Sequence, residues 1–169
     1  MKRRRIPVVL IALALAAVVV IVGFTQIKLD ALQEPGRIET VLATRAKHLL
    51  VRWRSREGIP PPPANLQASV EEGDKLYAAD CSMCHGPDGR AATDAGRWMY
   101  PRAADLTFSG VQQYSDRELF WIVKNGIRFS GMPAFGKVES DEHIWNLVHY
   151  VRTLRGGANA PPASEGAAQ

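Results

Sequence analysis

The chain has only two cysteines in 169 residues, at positions 81 and 84. Sulfur bridges between distant segments are therefore excluded, and any role for these thiols is local. Histidine is nearly as scarce: His48, His85, His143 and His149 are the only four, and three of them are scattered. A structural zinc site needs more Cys or His at ligand spacing than this. No stretch around the cysteines alternates apolar and polar residues as a strand does. A thioredoxin-like C-x-x-C, which sits between strand and helix, thus lacks its setting. Charge is missing altogether from residues 6–24.

The two cysteines stand in Cys81-Ser82-Met83-Cys84-His85. C-x-x-C-H is the attachment signature of a c-type haem. The two thiols reach the two vinyl groups of one porphyrin, and His85 lies where its imidazole can meet the iron. One covalent haem c is therefore expected, bonded to Cys81 and Cys84.

Net charge is +4, unevenly spread. Residues 1–65 hold 11 Lys/Arg and 4 Asp/Glu, whereas residues 66–155 hold 10 and 12. The basic excess belongs to the N-terminal third and is no nucleic-acid patch on the haem region. Lys2, Arg3, Arg4 and Arg5 precede 19 uncharged residues. A helix of that length rises ~28 Å, close to the ~30 Å hydrocarbon core of a bilayer. The basic cluster orients such a span with its N-terminus in the cytoplasm. Residues 1–28 are read as an uncleaved signal-anchor. The competing reading, a cleaved signal peptide, prefers a shorter apolar core and a small-x-small exit. Both put the motif outside the cytoplasm, which for a bacterium is the periplasmic face of the inner membrane.

Residues 29–65 form a second region. Ile38, Val41, Leu42, Leu49, Leu50 and Trp53 recur at helical spacing on a basic, amphipathic segment. It could lie on anionic lipid, pack on the haem domain or meet a partner subunit; His48 is read as a surface residue. Pro60 to Pro63 end it as a stiff, extended spacer, and the domain boundary is placed there.

Residues 66–157 are the haem domain, and 158–169 a disordered tail. Ser69 with Glu72 and Ser115 with Glu118 have the form of capping boxes, and Ser140 opens a third helix. Ile144, Leu147, Val148, Val151 and Leu154 form the buried face of that last helix. The fold class is all-α: three main helices and long loops around one covalent haem, preceded by a transmembrane helix and a juxtamembrane amphipathic helix. About 90 residues with long loops make a thin core, so the domain without haem is expected to be poorly folded.

The iron's second axial position has five candidates. Met83 lies inside the motif loop, and Met99 is close to it in sequence and packs. His149 falls opposite the apolar face of its helix, which predicts a solvated ring, and His143 stands in a first helical turn. Met132 sits in Gly131-Met132-Pro133, a loop held by glycine and proline, and offers a soft, neutral thioether that favours ferrous iron.

Over residues 69–155 the chain resembles the class I c-type cytochromes. The resemblance rests on Cys81-Ser82-Met83-Cys84-His85, on Gly131-Met132-Pro133, and on Gly73/Tyr77 paired with Leu147/Tyr150. It implies that Gly73 and Tyr77 of the first helix cross Leu147 and Tyr150 of the last. It further implies that the carbonyl of residue 104 accepts a hydrogen bond from His85 Nδ1. Here Ala104-Asp105-Leu106 stands where the family commonly has Pro-x-Leu.

With His85 and Met132 both on the iron there is no open site for a small-molecule substrate, and one-electron exchange remains. Leu106, Phe108, Trp121 and Phe135 are assigned to the haem pocket, and Tyr100 and Arg128 to the propionates. The expected role is electron relay between respiratory-type protein partners, donor and acceptor, by a membrane-tethered carrier rather than an enzyme. The alternatives are a haem-c subunit of a larger oxidoreductase and a haem enzyme or gas sensor with a displaceable Met132.

Overall fold

The computed structural model describes residues 5–25 and 35–155; the tail assigned to 158–169 lies outside them. The chain divides into two compact units, 1–33 and 34–169. In the first, α1 (Arg5–Thr25) is a continuous helix of 21 residues. Its side chains are described without interruption only over 9–25. Counted over described residues, no helix is long and apolar enough to cross a membrane.

The second unit holds α2 (Arg37–Arg54), α3 (Leu66–Asp80), α4 (Ser82–His85), α5 (Asp94–Trp98), α6 (Ser109–Gln112), α7 (Asp116–Asn125) and α8 (Asp141–Thr153), with a 3₁₀ turn at Phe135–Lys137. The described residues include no strand. The three main helices of the haem domain are α3, α7 and α8. Short helical turns interrupt the loops between them.

The principal packing is α3 across α8. A Cβ on Gly73 would collide with the Asn146 backbone carbonyl, so only glycine lets the two backbones approach this closely. One turn on, Tyr77 packs against Tyr150, ring centroids 5.0 Å apart. The crossing implied by the family resemblance is thus present. Tyr77, Phe120, Ile144, Leu147, Val148 and Val51 are the fully buried side chains. Leu154, assigned to the same face of α8, is half-buried, while Trp145 and Asn146 are buried as well.

Capping follows the sequence at two helices. Ser115 Oγ accepts from Glu118 N and Glu118 Oε2 accepts from Ser115 N, closing the box at α7. Ser140 Oγ accepts from His143 N at the start of α8. The box assigned to Ser69 and Glu72 does not form. Asn65 caps α3 instead, its side chain accepting from Ala68 N. Ser69 is buried one turn further on, where its hydroxyl donates to Asn146 Oδ1 (2.5 Å) and accepts from His149 Nδ1 (2.7 Å). His149 is therefore not a solvated ring: it is half-buried against Trp145 and Ser69.

For the segment before the prolines, packing on the haem domain is the alternative that is realised. α2 docks on the haem domain through Val51, which is 2 % exposed. His48, read as a surface residue, is half-buried and stacks on Tyr114 with centroids 4.3 Å apart and planes 11° apart. Arg117 donates to the Ser55 and Arg56 carbonyls at the end of α2. The apolar positions picked out by periodicity, Ile38, Leu42, Leu49 and Trp53 among them, are exposed. The proline run is not a free spacer either. Trp145 Nε1 donates to the Pro60 carbonyl and Ile59 packs against the core.

Candidate haem site

The motif occupies the end of α3 and the single turn α4. Its backbone is held from three sides. Tyr77, reaching forward from α3, donates to the Gly86 carbonyl at 2.7 Å. Thr93 Oγ1 donates to the Cys84 carbonyl at 3.0 Å while accepting from Gly96 N, so one hydroxyl both caps α5 and ties it to the motif. A Cβ on Gly96 would strike that same Cys84 carbonyl. Gly86 turns the chain out of the motif with φ +77°, a conformation that suits glycine.

His85 is oriented by its Nδ1, which donates to the Ala104 carbonyl at 2.8 Å. A carbonyl only accepts, so the proton is on Nδ1 and the lone pair is on Nε2, the arrangement of an imidazole ready to ligate a metal. The Ala104 carbonyl makes the bond implied by the resemblance, without the proline. Burial lowers the His85 pKa, with the Ala104 bond acting the other way, and the lowering favours the neutral ring that a ligand requires. Leu106, two residues on, is fixed by its amide donating to the Gly89 carbonyl at 2.7 Å.

Cys81 and Cys84 are half-buried and carry no disulfide. Burial, followed by the charge of Asp80, pushes the Cys81 thiol up to about 12. A dithiol redox centre needs the opposite, a thiolate stabilised at neutral pH. Cys81 lacks such a stabilised thiolate.

The Met132 loop returns to this region through α5. Three residues beyond Gly96, the Met99 side chain lies across Gly131, its Sδ 2.6 Å from where a Cβ would stand. Met132 is half-buried, its amide donating to Ser130 Oγ and its carbonyl accepting from Ile127 N. Gly126 ends α7 at φ +65°, and a Cβ there would meet the Met132 and Pro133 carbonyls. Phe129, in the same loop, also has positive φ (+61°) and is 90 % exposed. Two thiols, an imidazole with its Nε2 free and a thioether on a loop tied to the motif by α5 form a donor set that fits a covalent haem.

The other assigned residues scatter more. Phe135 and Leu106 are half-buried, and Arg128 is exposed. Phe108 is 64 % exposed and folds back on Gly110. Tyr100 is exposed and its hydroxyl donates to Glu39 of α2 at 3.2 Å. Trp121 is half-buried and lines a cleft with Glu57, Gly58, Ile59, Phe120, Lys124 and Asn125, on the side where α2 ends. His143 is paired with Glu139 at 2.7 Å. Sequence reasoning missed Thr93, at which only the N-cap pattern Thr93-Asp94 hinted, whereas Met99 packs as expected, against Gly131.

Comparison with known proteins bears directly on this site. Residues 68–151 match the family model described as cytochrome c oxidase, cbb3-type, subunit III. The chain is 30 % identical over 125 residues to the cbb3-type cytochrome c oxidase subunit FixP of Azorhizobium caulinodans, covering 66 % of this chain and 39 % of that one. It is 27 % identical over 84 residues to cytochrome c6 of Gracilaria tenuistipitata var. liui, covering 50 % and 71 %. In fold it is similar to a chain of the Kuenenia stuttgartiensis reducing HAO-like protein complex, with a TM-score of 0.54 at 24 % identity over 59 % of this chain and 49 % of that one. The chain thus spans well under two thirds of the length of the oxidase subunit. Through residues 68–151 the chain belongs to the c-type cytochromes, proteins with covalently bound haem c.

Proposed function

We propose that Cys81 and Cys84 hold the haem by thioether bonds and that His85 Nε2 and Met132 Sδ are its axial ligands. The haem supplies reversible one-electron exchange between ferric and ferrous iron. The residues around it do the rest. Ala104 fixes the tautomer and orientation of His85. Thr93 and Gly96 hold the motif against α5, and the Met99–Gly131 contact brings the Met132 loop alongside. Two protein ligands leave no position for a substrate, so the protein is a carrier rather than an enzyme. Leu106 and Phe135 belong to the pocket wall in this reading.

The carrier is tethered to a membrane by residues 5–25 and works on the outer face of a bacterial inner membrane, passing electrons between a respiratory-type donor and acceptor. The tether is supported by 19 uncharged residues behind a cluster of four basic ones. A second reading, a haem-c subunit of a larger oxidoreductase, is favoured by the similarity to an oxidase subunit.

The observation that supports the ligand assignment is the 2.8 Å bond from His85 Nδ1 to Ala104, which leaves the lone pair of the other ring nitrogen available to a metal. The test is Met132→Ala. The haem should remain covalently attached, the ferric spectrum should turn high-spin, and the potential should drop by roughly 0.1 V or more, a fraction of the ~0.8 V that axial ligands command. An unchanged low-spin spectrum and potential would remove Met132 from the iron.

A further inference from the structure

The docking of α2 leaves the helix with two faces of different character. His48, Val51 and Ser55 turn toward α7 and Tyr114. Successive residues of a helix advance 100°, so Ile38, Leu42, Leu49 and Trp53 fall within about 60° of one another, centred roughly 140° away from the docked face. They are 78, 63, 70 and 58 % exposed. From Ile38 to Trp53 the stripe is ~22 Å long. Arg45 and Arg52 border it, and the Arg54 guanidinium lies 4.9 Å from the Trp53 ring centroid.

We infer that this stripe lies in the surface of an anionic lipid bilayer and fixes the haem domain in one orientation on it. Charge selects the occupant. Residues 37–56 contain six Lys/Arg and one Glu, a balance of +5, while residues 66–155 balance to −2. A second copy pairing stripe to stripe would set +5 against +5. An anionic surface instead meets basic side chains beside an apolar strip with a tryptophan at one end, the pattern of an interfacial helix. Arginine stems extend along the strip while their heads reach lipid phosphates. In the sequence, the uncharged 6–24 run stands 12 residues before the helix. The inference extends the tethered reading and fails separately from it.

The test uses the full-length holoprotein with Leu49→Cys, whose thiol is free once Cys81 and Cys84 are bonded to haem. It is labelled with a polarity-sensitive dye, and Gln67→Cys on α3 serves as the control. On vesicles containing phosphatidylglycerol, the label at 49 should shift to the blue. Doxyl lipid should quench it at least about threefold more than the label at 67. On pure phosphatidylcholine, or in 1 M salt, the difference should fall by at least about twofold, and Leu42→Glu should remove it. Equal quenching at both positions overturns the inference. So does a blue shift in detergent without lipid accompanied by a doubled mass, which assigns the stripe to a second copy. Failure of the protein to float with vesicles of either kind overturns the inference and the membrane span together, whereas flotation with equal quenching overturns the inference alone.

Discussion

At the scale of single residues, polar groups inside the α3–α8 crossing set how the protein responds to pH. His149 donates through Nδ1 to Ser69, which donates to Asn146. Burial lowers the His149 pKa, outweighing the raising effect of Asp116. His48 is lowered too, by burial first and Lys47 second, against Glu118. A histidine whose folded pKa lies below its unfolded one, about 6.5, binds fewer protons when folded. Its stabilising effect is complete above pH ~6.5 and is lost as pH falls below that value toward the folded pKa. Thermal midpoints should therefore fall between pH 7.5 and pH 5, and His149→Gln should flatten that dependence. A variant with the same slope as the parent would show that the ring does not titrate in this range. Ser69 illustrates why the residue scale was only partly legible. In the sequence Ser69-Val70-Glu71-Glu72 has the form of a cap, but Asn65 four residues earlier already provides one, which leaves Ser69 free to serve the core.

At the scale of elements, two contacts carry most of the argument. The α3–α8 crossing depends on the absent side chain of Gly73. Gly73→Ala would push a methyl group into the Asn146 carbonyl, backbone that cannot move aside cheaply. A loss of about 2–4 kcal/mol is expected, the upper range for overpacking, measured by denaturant unfolding of the holoprotein. The docking of α2 rests on Val51 and on Arg117 capping its end. Val51→Ala should cost about 1–3 kcal/mol of haem-domain stability. A helix that merely linked an anchor to the domain would give no change, so a null result would detach α2 from the core. Helical periodicity singled out the wider apolar stripe of α2 and passed over the buried face. Val51, His48 and Ser55 make a mixed strip that a hydrophobic pattern does not single out, and it is buried because Tyr114 and Arg117 offer partners for it.

At the scale of the molecule, the loops between α4 and α7 have short helical turns and few buried apolar side chains of their own. Residues 86–118 contribute only Tyr114 to the buried apolar core among the described residues. A large, covalently held apolar group compensates for so thin a core. Replacing both cysteines by serine should therefore lower helix content and broaden the thermal transition, read by far-ultraviolet circular dichroism of the purified protein. A variant that unfolds as sharply as the parent would show that the polypeptide folds without covalent attachment.

The sequence alone pointed to the covalent haem and to the starts of α7 and α8. Those signals are local: thiols and imidazole at fixed spacing, caps three residues from their partners, glycine where the backbone turns. The bond from His85 to the Ala104 carbonyl was legible only through the family resemblance, because the two residues stand 19 positions apart. Tertiary structure decided what local patterns leave open. It chose which face of α2 is buried, turned the prolines into a docked segment through Trp145, and laid Met99 across the loop of Met132. Each of these outcomes depends on which distant surface offers a hydrogen-bond partner or a space of the right size, and no spacing within a single segment encodes that.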